Sequence, residues 1–151
     1  MESPIGLLRL ESDGECITAL AFDAEGSSSE DMPAILHEGQ KQLEEYFAGK
    51  RRAFDLPLAA NGTAFQQRVW EAVRAIPWGS TSSYQRIAEQ IGGNAVARAV
   101  GTANGANPIP IIVPCHRVIG ADGSLTGYVG GLRRKQWLLR HEGAVQSDLF
   151  D

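Results

Sequence analysis

One short run carries most of the chemistry that this chain can offer: Pro114-Cys115-His116-Arg117-Val118. A thiol is followed at once by an imidazole and a guanidinium. Cysteine attacks as thiolate, and near neutral pH it becomes thiolate only beside a base or in a positive field. His116 and Arg117 are placed to supply one or both. The run closes an apolar stretch, Ile109-Pro110-Ile111-Ile112-Val113, whose prolines stop it from continuing as a helix. Residues 109–118 are therefore expected to form a buried extended segment that delivers the thiol at its end. Two readings of Cys115 stand at this point: a nucleophile with His116 as its base, or a buried structural cysteine, a common fate of a lone Cys.

The elements that must position this run follow from periodicity and punctuation. Apolar runs from Ile5 to Leu10 and from Cys16 to Phe22 flank Ser12-Asp13-Gly14 and predict a β-hairpin. An acidic, serine-rich loop covers residues 23–31. From Pro33 onward, Ile35, Leu36, Leu43, Tyr46 and Phe47 share one helical face, and Gly49 ends the helix. Phe54, Leu56 and Leu58 alternate, which predicts a third strand over residues 53–58 with Pro57 at an edge. No chemistry is evident in this first part, and its role reads as structural.

After Asn61-Gly62, Thr63 can cap a helix that buries Phe65, Val69, Trp70, Val73 and Ile76. Ser82 or Ser83 can cap another, carrying Tyr84, Ile87, Ala88 and Ile91, and Gly92-Gly93-Asn94 turns the chain into a short helix over residues 95–104. Two short helices across a glycine turn outline a helix-turn-helix. Asp122-Gly123 predicts a hairpin-like return over residues 119–128. A last helix, Leu132–His141, has Trp137, Leu138 and Leu139 on its apolar side and Arg133, Arg134, Lys135 and Arg140 as its charge, and Gly143 ends it. The expected fold class is α+β: a small N-terminal α/β unit with a short antiparallel sheet (1–62), a mostly helical domain with a helix-turn-helix (63–143), and a tail (144–151).

At 151 residues the chain is large enough for a real core. Its two cysteines, Cys16 and Cys115, are far apart, which suggests a reducing compartment, and no stretch is apolar enough for a membrane span. A cytoplasmic monomer is expected. Cys16 and His37 are too few for a zinc site of four ligands, so no metal is expected. The net charge of −4 conceals an asymmetry: residues 1–62 hold 5 Lys and Arg against 12 Asp and Glu, whereas residues 63–151 hold 9 against 6. The basic excess lies with the motifs, which permits a polyanion-binding face. The second helix of the helix-turn-helix is nearly smooth. Ala97, Gly101, Thr102 and Ala103 surround one large polar side chain, Arg98. Such a face suits close approach to a nucleic-acid groove, with Arg98 entering the base stack; close packing against a neighbouring helix would also use small residues.

Taken with Asn107-Pro108 upstream, Gly127-Tyr128-Val129-Gly130-Gly131 downstream and His141-Glu142-Gly143 at the end of the last helix, the cysteine run resembles the alkylguanine-DNA alkyltransferases, also called methylated-DNA–protein-cysteine methyltransferases. The resemblance runs from Thr63 to Gly143. It implies direct reversal of damage in double-stranded DNA: the alkyl group on the O6 oxygen of guanine passes irreversibly to Cys115, once per molecule and with no cofactor. It further implies His116 as base through a water, Glu142 as the carboxylate that orients His116, and Tyr84 as proton donor to the leaving guanine. Asn107 would tie the cysteine segment to the helix-turn-helix. The implied pocket is built from Pro114, Val118, Tyr128 and Val129, and relatives often have a small polar residue at the position of Val129. The rivals are a lesion-binding protein without transfer, disfavoured because Cys115 is present, and a cysteine hydrolase, which leaves the smooth Arg98 helix unexplained. In the tail, the spacing of Gln146, Leu149 and Phe150 resembles the short motif by which bacterial repair and replication proteins hold the sliding clamp.

Overall fold

The computed structural model describes residues 1–24 and 32–144. Three strands, β1 (Glu2–Ser3), β2 (Gly6–Ser12) and β3 (Ile17–Phe22), form an antiparallel sheet in that order. The turn between β2 and β3 closes because Asp13 Oδ1 accepts from the N–H groups of Glu15 and Cys16 while Ser12 Oγ accepts from Gly14. Pairing of Leu8 with Phe22 and Leu10 with Leu20 puts Leu8, Leu20 and Ile17 toward the core. Helix α1 (Ala34–Phe47) lies on this sheet through Gly39, Gln42, Leu43 and Tyr46. Gly39 lets the helix approach closely: a Cβ would stand 2.9 Å from a Leu10 methyl, which would have to move.

The third strand is not the one that the sequence predicts. Residues 53–58 are irregular and pair with the sheet at a single bridge, Leu58 to Ile17. The Gln42 amide takes both backbone groups of Asp55, accepting its N–H at 2.9 Å and donating to its carbonyl at 3.1 Å. With those groups satisfied by a helix side chain, no strand ladder forms over this segment.

Helix α2 (Ala64–Arg74) begins with a capping box between Thr63 and Gln66. Short β4 (Ser82–Ser83) leads into α3 (Tyr84–Ile91), capped by Ser83, and α4 (Ala97–Gly105) follows, starting two residues later than expected because Val96 is still extended. Helices α2, α3 and α4 pack on one another, and the Trp70 indole donates to the Ala103 carbonyl at 2.8 Å.

The cysteine segment is buried, as expected, but it is not extended. Residues 109–113 fold into a tight turn in which Val113 N–H donates to the Ile109 carbonyl at 2.9 Å, and Ile111 takes φ 72°. A β-branched residue in that region is strained and persists only where its surroundings fix it. Here Asn107 does so, donating to the Val113 carbonyl and accepting from Ile109 N–H. Cys115–Arg117 is one turn of 3-10 helix.

β5 (Val118–Ile119) pairs in parallel with β4. The predicted return at Asp122-Gly123 forms as a turn, with Gly120 N–H donating to the Ser124 carbonyl at 2.9 Å and Asp122 accepting from Ser124 N–H, but no strand ladder flanks it over residues 119–128. Helix α5 (Leu132–His141) closes the fold, which is α+β with a single core cluster running from Leu8, Ile17 and Leu43 to Val73, Ile109 and Leu138. No helix among the described residues is long and apolar enough to cross a membrane.

Candidate active site

Cys115 sits at the first position of the 3-10 turn, 2 % exposed. Its N–H donates to the Val113 carbonyl, and its carbonyl accepts from Asn104 Nδ2 at 3.3 Å. Burial pushes the thiol up to about 11, opposed by a hydrogen bond from Asn107 and by the charge of Lys135. At neutral pH the resting group is a thiol.

His116 is wholly buried and held by Glu142, with 2.7 Å between Nε2 and Oε2. Burial, with the nearby Arg117 and Lys135 charges, lowers its pKa against the pull of Glu142, so the ring is neutral near pH 7. A neutral imidazole facing a carboxylate carries its proton on the nitrogen at that carboxylate. Nε2 is therefore the donor and Nδ1, buried without a hydrogen-bond partner, has the free lone pair.

Arg117 does not supply a field to the thiol, as its place in sequence suggested. Its guanidinium is spent on Glu142, Nε to Oε1 at 2.7 Å and Nη2 to Oε2 at 3.0 Å, and on the Ile76 carbonyl. Burial would raise the Glu142 carboxyl, but His116 and Arg117 outweigh it and hold it at about 2. The cation near Cys115 is Lys135, which the sequence reading had placed on a charged helix face. It is fully buried, donates to the carbonyls of Val118 at 2.6 Å and Thr126 at 3.2 Å, and is pushed down to about 8 by burial. A signal was available: Lys135, Leu138, Leu139 and Glu142 fall on one helical stripe.

Tyr46, from α1, is a second residue that sequence reasoning missed, since the N-terminal part was read as structural only. Its hydroxyl donates to Glu142 Oε2 at 2.6 Å. The Tyr84 hydroxyl is hydrogen-bonded to Thr126 Oγ1. Pro114 and Val118 are buried beside Cys115, and the Tyr128 hydroxyl is buried without a partner, its ring edge-on to His116 at 6.3 Å. Val129 lies more than half exposed.

On α4, Arg98 and Thr102 are exposed and Ala97 and Gly101 half-buried. Gly101 faces the Tyr84 ring, where an added Cβ would make ordinary contact at 3.6 Å. Ala103 does not belong to this face: it is buried toward α2 under Trp70. Gln146, Leu149 and Phe150 lie outside the described residues. Among the described residues no three His, Cys, Asp or Glu side chains are grouped to hold a metal.

Two family descriptions match the chain: the DNA binding domain of 6-O-methylguanine DNA methyltransferase over residues 64–144, and the ribonuclease-like domain of 6-O-methylguanine DNA methyltransferase over residues 1–60. The chain is 48% identical over 159 residues to a methylated-DNA–protein-cysteine methyltransferase of Mycolicibacterium paratuberculosis, covering 100% of this chain and 96% of the relative. A protein of the same name from Methanosarcina acetivorans is 47% identical over 150 residues, covering 95% and 96%. The crystal structure of Mycobacterium tuberculosis OGT in complex with DNA superposes with a TM-score of 0.87 at 50% identity, covering 100% of this chain and 97% of that one.

Proposed function

The chain belongs to the 6-O-methylguanine DNA methyltransferase family and repairs DNA by alkyl transfer to a protein cysteine, and we propose that Cys115 is that cysteine, with His116, Glu142 and Tyr84 serving the transfer. The observation that supports this reading most is the chain of buried contacts behind Cys115: a neutral imidazole with its lone pair at Nδ1 and its N–H fixed on a carboxylate.

The lesion is guanine alkylated at O6 in double-stranded DNA. The Cys115 sulfur attacks the alkyl carbon in line, the S–C bond forms as the C–O6 bond breaks, and the electron pair leaves on guanine. The thiol proton passes through a water to His116 Nδ1, and the imidazolium that forms is stabilised by Glu142. Holding the resting group as thiol keeps it inert until a base fills the pocket. Tyr84 protonates the leaving guanine ring, which requires its hydroxyl to exchange Thr126 for the base. Asn107 fixes the turn that presents the thiol. The carbonyls of Cys115 and Val118 accept from the guanine amino group with the lone pairs left by Asn104 and Lys135, and a backbone N–H near Val129 donates to O6. Pro114, Val118 and Tyr128 line the pocket. Arg98 fills the gap left by the extruded base, with Ala97, Gly101 and Thr102 allowing close approach of the groove. A thioether has no easy route back to a thiol, so each molecule acts once, and no cofactor enters.

Residues 1–62 and 63–143 act as two domains of a cytoplasmic monomer. The tail recruits the protein to the bacterial sliding clamp through Gln146, Leu149 and Phe150. Titrating purified clamp with the whole protein tests this, and binding unchanged by Leu149→Ala with Phe150→Ala would exclude it.

Intact mass after incubation with O6-methylguanine duplex tests the transfer. The protein should gain one methyl, and Cys115→Ser should gain none while still binding the duplex. A methylated Ser variant would reassign the nucleophile, and binding with unchanged mass in the wild type would favour a lesion reader.

A further inference from the structure

We propose that Tyr46, in the last turn of α1, is a positioning residue of the transfer site: its hydroxyl shares the Glu142 carboxylate with His116 and so sets how strongly that carboxylate draws on the imidazole. The inference rests on the relay proposed above and extends it into the N-terminal domain.

Three donors meet at one oxygen. Glu142 Oε2 accepts from the Tyr46 hydroxyl at 2.6 Å, from His116 Nε2 at 2.7 Å and from Arg117 Nη2 at 3.0 Å. The tyrosine is fully buried, its ring packed edge-on to Phe47, Trp78 and His141 and tilted against Phe54. Its carbonyl accepts from His141 Nε2 at 2.7 Å, so one residue ties the end of α1 to the end of α5 at both its backbone and its side chain. Burial and the neighbouring carboxylate push the phenol well above its ordinary range, so it stays a donor throughout the working pH range.

The charged and titratable groups near this carboxylate and imidazole are Arg117 and Cys115 from the cysteine segment, Lys135 from α5, Tyr128 and Tyr46 itself, and His141 of α5 faces Tyr46. Arg117 already uses both carboxylate oxygens, so its guanidinium does not replace the tyrosine hydroxyl. Each donor dipole on an anionic oxygen offsets part of the charge that the other donors feel. Without the phenol, Glu142 draws harder on His116 and the imidazole protonates at higher pH. The free lone pair at Nδ1, which takes the thiol proton, is then lost at higher pH.

Tyr46→Phe in the full-length protein removes the hydroxyl and keeps the ring. Single-turnover transfer from an O6-methylguanine duplex, followed between about pH 5 and 9, should show an acid limb moved up by about half a pH unit, about threefold slower along that limb. The alkaline plateau and duplex affinity should match the wild type. Fluorotyrosine placed at position 46, a stronger donor, should move the limb the opposite way and serves if the Phe variant does not fold. An acid limb at or below the wild-type position in Tyr46→Phe, including a uniform fall in rate at every pH, overturns the proposal. A wild type without an acid limb at any pH at which it stays folded overturns the relay itself, and this proposal with it.

Discussion

Glu142 is where residues from three elements converge, and its ionisation has a consequence for stability. Its carboxyl is held at about 2, below its ordinary 4.5, so its contribution is fully present above pH 4.5 and is lost as pH falls toward 2. His116 is lowered from 6.5, so the unfolded chain takes up a proton that the folded one refuses, and stability declines as pH falls below 6.5. Urea midpoints should therefore fall in two stages on acidification. Glu142→Gln should flatten the lower stage, yet cost about 3–5 kcal/mol at pH 7, because Arg117 would be left buried without its carboxylate. A wild type whose midpoint is unchanged between pH 4.5 and 2 would contradict this account. Lys135 gives a second prediction at this scale. Its charge opposes the upward push of burial on the Cys115 thiol, so Lys135→Met should raise the thiol further. Alkylation of Cys115 by iodoacetamide, measured against pH, should then slow by about threefold or more below about pH 8, where Lys135 carries its charge, and approach the wild-type rate above it. An unshifted profile would remove Lys135 from the electrostatics of the site.

Among the elements, α4 has the least conventional surface, and its role separates from chemistry by choice of substrate. Arg98→Ala should slow repair of O6-methylguanine in duplex by about tenfold or more, since extruding a base costs a few kcal/mol and the Arg offsets part of it. Reaction with free O6-benzylguanine, which needs no extrusion, should change little, and equal losses on both would exclude the finger role. The helices were legible in the sequence because each combines an apolar stripe with a stop or cap: Thr63 with Gln66, Ser83, and Gly49. Strands were less so. Alternation at Phe54, Leu56 and Leu58 reports burial against the core, but the backbone there is claimed by Gln42, which lies thirteen positions away from Asp55. The site divides in the same way. Cys115 and His116 are adjacent and legible as a unit, whereas the roles of Asn107 and Glu142 came from the resemblance. Lys135 was missed because a polar group on a helix reads as solvated unless the stripe it shares with buried neighbours is followed, Tyr46 because its place on an apolar face accounts for the ring and leaves the hydroxyl unexamined, and Ala103 was misassigned because small residues serve packing and groove approach equally.

At the scale of the whole molecule, one core joins the two parts, and the hydrogen bonds at Glu142 cross between them. Tyr46 reaches Glu142 from the first part, Arg134 of α5 is bound to the Ile5 carbonyl and to Asp23, and the rings of Tyr46, Phe47, Trp78, Trp137 and His141 pack together at the seam. The Cys115 thiol lies inside this structure, after a turn held by Asn107 and strained at Ile111. A methyl added to sulfur there has to displace packed neighbours, because protein interiors leave little free volume. Cys115 is 2 % exposed, with Val113, Pro114, His116 and Val118 all buried around it. Overpacking of this kind costs about 1–3 kcal/mol. In a chain of this size each kcal/mol is worth a few degrees of melting temperature. The stoichiometrically methylated protein should therefore melt several degrees below the unmodified one, and amide exchange should accelerate first across residues 107–118, where the turn absorbs the added volume. The loss should be smaller at alkaline pH, where the unmodified protein bears the cost of keeping a thiol with a pKa of about 11 un-ionised while the unfolded chain ionises from about 9, a cost that the thioether does not share. Calorimetry of the two forms at neutral and at alkaline pH measures both effects, and a methylated form that melts at or above the unmodified one at neutral pH would show that the pocket had room for the methyl all along.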